Sequence, residues 1–288
     1  MGPARHRGPA RAGTGPGPRR LEEITRAAWL LLRCSHPESV LAVTVIVTAL
    51  ALTAGRGPTY ATLMAAAVLA GQLWVGWTND LVDAAQDREQ GRPDKPLATG
   101  EISEAAVKRA AYTALVLAIP LSIATGLVSA LAHLTALLAA AEYNRSLKRT
   151  PYSVLPYAFA FGMVPAFVTE GPPITHAPPL WATAAAALLG AGAHFTQTLT
   201  GLEGLPARLG RRATSIAGPA LMAAAALTVG LGASHRSTLL YVGLASAMGL
   251  LAATAVAAVA DKPKLAFRFT LATAAAVTAT VLAAGVSF

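Results

Sequence analysis

The run Ala110–Ala141, AAYTALVLAIPLSIATGLVSALAHLTALLAAA, is 32 residues long and carries no charge. A helix needs roughly 20 apolar residues to cross about 30 Å of hydrocarbon, so this run is too long for one comfortable span. Its flanks decide the reading. Lys108 and Arg109 precede it, and Arg145, Lys148 and Arg149 follow it. With both ends on the same basic side, the run must be a hairpin of two short helices. The turn is expected near Ser122–Gly126, just after Pro120, where proline and glycine interrupt the helical pattern.

Seven further apolar runs lie around it: Ser39–Gly55, Gly57–Asn79, Thr150–Thr169, Gly171–Leu202, Ala213–His235, Ser237–Ala260 and Phe269–Phe288. With the hairpin counted twice, the chain is predicted to be an all-α polytopic membrane protein of nine transmembrane helices. The composition agrees. Only 13% of the 288 residues are charged and 54% are hydrophobic, where a soluble domain carries about 25% charge. The net charge of +9 is one-sided: 21 of the 23 Lys and Arg fall in the N-terminal segment and alternate loops, leaving Arg56 and Arg236 opposite. That asymmetry is a positive-inside signature, not a nucleic-acid footprint. It predicts a cytoplasmic N-terminus and a C-terminus outside. Residues 1–25, rich in Gly, Pro and Arg, read as a disordered basic tail, and residues 26–288 as the transmembrane domain. Cys34, the single cysteine, excludes an intrachain disulfide. No GxxxxGK[ST] or GxGxxG element is present, which disfavours nucleotide-driven transport.

Carboxylates are scarce, so their clustering carries information. Six of the 14 lie between Asp80 and Glu101. Asn79, Asp83 and Asp87 are spaced i, i+4, i+8, which stacks them on one helix face. Like charges at that spacing repel unless a cation neutralises them. Mg²⁺ takes oxygen ligands from one or two carboxylates plus substrate phosphates. Arg88 and then Arg92-Pro93-Asp94-Lys95-Pro96-Leu97 follow at once. Carboxylates for a metal beside cations for an anion describe a metal–diphosphate site. A second cluster, Tyr143-Asn144-Arg145-Ser146-Leu147-Lys148-Arg149, places an interfacial tyrosine beside Arg145 and Lys148, which are expected to reach the same anion.

Asn79-x-x-x-Asp83-x-x-x-Asp87, the RPDKPL segment and the Tyr143…Lys148 element together resemble the UbiA family of intramembrane aromatic prenyltransferases. Arg33 and His36 resemble its entry segment, and the likeness covers about residues 26–288. It implies nine helices around a central cavity, with two Asp-rich motifs holding Mg²⁺ and the diphosphate of a polyprenyl or shorter allylic donor. It implies that Asn79, Asp83 and Asp87, with Asp80 and Glu203, form the metal set. Arg33, Arg88, Arg92, Lys95, Arg145 and Lys148 become the candidate diphosphate ligands. Asp83, Asp87, Tyr143 and Lys148 become the catalytic candidates, Tyr143 orienting the donor head or supporting developing positive charge.

The sequence departs from the family pattern after the sixth helix. His194-Phe195-Thr196-Gln197-Thr198-Leu199-Thr200-Gly201-Leu202-Glu203 contains no aspartate, and Glu203 is the only carboxylate between Glu170 and Asp261. Three readings stay open on the sequence: a prenyltransferase with an altered second site, a terpene cyclase of the same type, and an isoprenoid-binding paralogue without turnover. The acceptor is not readable. His133, His176, His194 and His235 are dispersed and lack metal-ligand spacing.

Overall fold

The computed structural model describes residues 18–172, 175–233 and 237–283. Arg236, most of the N-terminal tail and the C-terminal end, on which the sequence reading also drew, lie outside these residues. The described residues form eleven α-helices: α1 (Pro18–Cys34), α2 (Pro37–Thr53), α3 (Pro58–Glu89), α4 (Glu104–Ala124), α5 (Leu127–Glu142), α6 (Val154–Gly162), α7 (Val164–Thr169), α8 (Leu180–Gln197), α9 (Gly204–Gly232), α10 (Thr238–Val259) and α11 (Pro263–Ala283).

The hairpin forms where the sequence places it. α4 ends at Ala124 and α5 begins at Leu127, with Gly126 between them at φ 104°. Only glycine adopts that conformation without strain. Pro120 stays inside α4, so the reversal is made by Gly126 and not by the proline.

Five of the helices (α3, α4, α9, α10 and α11) are long and apolar enough to cross a membrane, and α1 with α2, bent by 75°, makes a sixth candidate. The expected count of nine spans therefore does not follow from helix length and apolarity. At 1.5 Å per residue, α5 with 16 residues and α2 with 17 fall short of the hydrocarbon thickness.

Two further expectations change. Residues 18–25, assigned to the tail, are the first turns of α1. Arg208, Arg211 and Arg212, expected in a loop, lie within α9, which is interrupted at Gly210 (φ 80°). Arg56, read from the sequence as lying opposite the other basic residues, is 2% exposed. Its guanidinium donates to the carbonyls of Val168 (2.8 Å), Gly171 and Pro172 (3.1 Å). It thereby satisfies carbonyls left open at the end of α7.

Five apolar clusters hold the bundle, three of which join most of the helices. Val47, Met64, Ala132 and Phe167 join α2, α3, α5 and α7. Ala185, Val229, Leu240 and Val281 join α8 to α11. Leu30, Ala84, Leu97 and Val107 bind α1 and the segment after α3 to the end of α3 and the start of α4. Leu117, Leu131, Leu180, Leu227 and Val256 project outward, as expected of surfaces solvated by lipid.

Candidate active site

α3 carries the acidic stripe as one uninterrupted helix. Four residues advance the helical angle by about 40° past a full turn, so the stripe drifts and its members face different partners. Asn79, Asp83 and Gln86 turn toward the segment after α5. Asp80 and Asp87 turn toward the segment after α3.

On the first flank, the chain after α5 tightens into a π-helical turn, Tyr143–Leu147, closed by the Lys148 amide donating to the Tyr143 carbonyl (3.0 Å). Such bulges recur at functional sites because they re-aim side chains. Here the turn directs Asn144 and Lys148 at α3. Asn79 Nδ2 donates to Asn144 Oδ1 (3.2 Å), and Asn144 Nδ2 donates to the Val75 carbonyl (3.1 Å). Lys148 Nζ donates to both Asp83 oxygens at 2.5 and 2.6 Å and lies 3.9 Å from Glu203. Arg149 donates to Gln86 Oε1 and lies 3.9 Å from Asp83 and 3.8 Å from Glu203. Gln86 Nε2 donates to Glu203 Oε1 (3.4 Å).

Glu203 is held there by the start of α9. Gly204 adopts φ 59°, and a Cβ on it would strike the Lys148 carbonyl and the Ser153 hydroxyl. The Leu205 amide donates to Ser153 Oγ (3.1 Å).

On the second flank, Lys95 donates to Asp80 at 2.6 Å, and His36 meets the same oxygen at 3.1 Å. Asp80 is 1% exposed. It is thus enclosed by its own cation, whereas Asp83, 18% exposed, shares its cation with Glu203. Arg92 lies 3.6 Å from Asp87 and grips Asp94 with two bonds of 3.0 and 2.9 Å. Those bonds hold the Asp94 carboxyl down at about 2.

The remaining candidates are placed as follows. Arg33 meets Glu101 (3.5 Å) and donates to the Asp94 carbonyl (3.3 Å). Arg88 pairs with Glu104 at 3.0 Å. Arg145 is solvent-facing, 3.9 Å from Glu142. Tyr143 is buried, edge-on to Tyr157 at 4.9 Å. The structure therefore brings Asn79, Asp83, Lys148 and Glu203 together and leaves Arg88 and Arg145 with acidic partners of their own. Sequence reasoning missed Asn144, Arg149 and Gln86. Their only signal was adjacency to residues already chosen.

Among the described residues, no three His, Cys, Asp or Glu side chains gather closely enough to cage a cation. Mg²⁺ does not need such a cage, because it takes one or two carboxylates and completes its shell with phosphate oxygens and water. The Lys148 ammonium lies between Asp83 and Glu203 and marks where positive charge is held. The donor set fits a Mg²⁺–diphosphate pair.

Immediately inward of Asn144 and Tyr143 is a cavity of about 150 Å³. Val68, Gln72 and Val75 line it from α3, the same helix that carries the acidic stripe.

The model of the UbiA prenyltransferase family matches residues 40–274, and the chain belongs to that family. It is an all-α integral membrane protein with the UbiA fold. Its fold is similar to that of the apo UbiA homologue from Aeropyrum pernix K1, at 18% identity and TM-score 0.69 over 85% of this chain and 98% of that one. It is also similar to the UbiA homologue from Archaeoglobus fulgidus bound to GPP and Mg²⁺, at 17% identity and TM-score 0.61 over 87% and 99% of the two chains. A digeranylgeranylglyceryl phosphate synthase is matched at 14% identity and TM-score 0.65, over 90% and 99%. No curated protein sequence matches the chain.

Proposed function

We propose that this protein transfers a prenyl group from an allylic isoprenoid diphosphate to an acceptor held within the bilayer, with Mg²⁺ as cofactor. The observation that carries the reading is the Asp83–Lys148–Glu203 arrangement, in which carboxylates from α3 and from the start of α9 face one cation. Family membership and the fold shared with a homologue bound to GPP and Mg²⁺ support it.

In this reading the charges exchange partners when donor arrives. Asp83, Asp87, Asn79 and Glu203 would hold Mg²⁺. Lys148, Arg149 and Arg92 would then be free to meet the diphosphate oxygens, while Lys95 stays with Asp80. The metal supplies Lewis-acid stabilisation of the leaving diphosphate. The C1–O bond breaks, and its electron pair departs with the diphosphate. Preformed cations aimed at the charge that develops lower this barrier, because they need no reorganisation. The apolar cavity excludes water from the allylic cation until the acceptor attacks and gives up a proton. The basic segments face the cytoplasm, with the N-terminus inside and the C-terminus outside. The donor's isoprenoid chain lies against lipid, and nucleic acid is no partner.

The test is diphosphate release from geranyl diphosphate and Mg²⁺ by the protein in native membranes. Asp83→Asn is expected to lower it by about 100-fold or more, with thermal unfolding unchanged. Wild-type rates in that variant would refute the site. A cyclic terpene formed without any acceptor would replace transfer by cyclisation.

A further inference from the structure

α1 is fastened to the rest of the protein at its end. Leu30 is buried and Cys34 fully so, against Ala84, Leu97 and Val107. Trp77 Nε1 donates to the Leu31 carbonyl (2.8 Å), and Arg33 meets Glu101 and the Asp94 carbonyl. Every residue from Arg19 to Trp29 is exposed. α1 lies before residue 40, where the stretch matched to the family begins, and prenyl transfer gives its exposed turns no task.

Those turns have two unlike sides. Leu21, Ile24, Ala28 and Leu32 follow at three- and four-residue steps and form one row. Leu21 and Ile24 are each more than half exposed. Arg19, Arg26 and Arg33 recur at seven-residue steps on another side. Ile24 is nine residues from Arg33 and so about 180° around the helix from it. Arg33 reaches the connection between α3 and α4, so the apolar row turns away from that connection. Trp29, also exposed, stands at the border between the two sides.

An uncovered row of Leu and Ile is costly in water. α1 cannot cover it by crossing the bilayer. Arg19, Arg20, Glu22, Glu23 and Arg26 fall within eight residues, and charge at the bilayer centre is expensive. The 75° bend from α2 turns α1 aside from the direction of that helix. Leu41 and Val45, on α2 just past the bend, are also exposed, so the row continues a surface already solvated by lipid. Among the described residues, Arg19, Arg20 and Arg26 have no ion-pair partner, although Glu22 is one turn from Arg26. Lipid phosphates are the anions that would meet them. Tryptophan at such a border is the residue enriched at headgroup depth.

We infer that α1 docks on the phospholipid leaflet beside it, with Leu21, Ile24, Ala28 and Leu32 among the acyl chains and its arginines on the headgroup phosphates. Helices of this kind sink about 5–10 Å into the leaflet. Through Leu30 on Leu97, α1 then ties the connection that carries Arg92 and Lys95 to the membrane surface. The docking does not depend on prenyl transfer.

The test places the full chain, one copy per disc, in phosphatidylcholine nanodiscs in a Cys34→Ala background. A single NBD-labelled cysteine is introduced by Ile24→Cys or by Arg26→Cys, about 200° apart around the helix. Doxyl-labelled phosphatidylcholine quenches from within the leaflet, and iodide quenches from the water. The label at 24 is expected to be quenched several-fold more by doxyl lipid than the label at 26, and several-fold less by iodide, with a blue-shifted emission. Thermal unfolding matching the Cys34→Ala parent checks that both labelled chains are folded. Equal quenching at the two positions would overturn the proposal. So would a label at 24 open to iodide, which leaves the row in water, or one shielded from both quenchers, which means that another part of the chain covers it.

Discussion

Asp83 and Asp80 are three residues apart and meet different fates. Asp80 is sealed against Lys95 and His36. Its burial with a partner makes it a structural ion pair, and removing either charge would strand the other in a poorly solvating interior. Asp83 is also neutralised, but its cation is shared with Glu203, so its pairing is exchangeable. Asp94 offers a measurable case of such pairing outside the bundle. Its carboxyl sits at about 2 because Arg92 donates two bonds to it, against roughly 3.9 in an unfolded chain. The unfolded state then binds the proton more readily, so the pair's contribution is complete above about pH 4 and is lost as pH falls through about 2. The pair is half exposed and screened, so the effect is small. Thermal unfolding in detergent should show a difference between wild type and Asp94→Asn that is constant from pH 7 to pH 5 and shrinks toward pH 2.

At the scale of elements, two backbone features position the chemistry. The π-helical turn after α5 delivers Asn144 and Lys148 to α3. The glycine at 126 makes the α4–α5 hairpin that brings α5 back to that place. A side chain at Gly126 would need φ 104° and would strike Pro172. Gly126→Ala is therefore expected to destabilise the folded protein by about 1–3 kcal/mol, read as a lower midpoint in equilibrium denaturation. An unchanged midpoint would show that the turn relaxes elsewhere. The bend between α1 and α2 is tied to the site as well: His36, at φ 57°, sits at the break and holds Asp80.

At the scale of the molecule, the distribution of basic residues predicts one orientation in the bilayer. In a Cys34→Ala background, a cysteine at Arg109 should be labelled by a membrane-impermeant maleimide only from the cytoplasmic side, and one at Ser237 only from the outside. The reverse pattern would invert the topology, and labelling of both from one side would remove an odd number of spans between them. Much of the architecture was legible in this way. The hairpin in Ala110–Ala141 follows from its length and flanks, and the acidic stripe from its four-residue spacing. The span count was less legible: α2 and α5 proved short, and Arg208, Arg211 and Arg212 proved to lie in helix on either side of the break at Gly210, because apolarity alone does not mark where a helix starts.

The sequence by itself determined the all-helical membrane class, the gathering of basic residues into a few segments and the face of α3 that carries the carboxylates. All three depend on periodicity and composition, which are properties of neighbouring residues. Only the tertiary structure decided that Lys148 answers Asp83 across 65 positions and that Arg56 is a buried cap. Those pairings depend on how separate helices pack. Packing is set by the shapes of facing side chains and small sub-turn shifts in register, to which local spacing is blind.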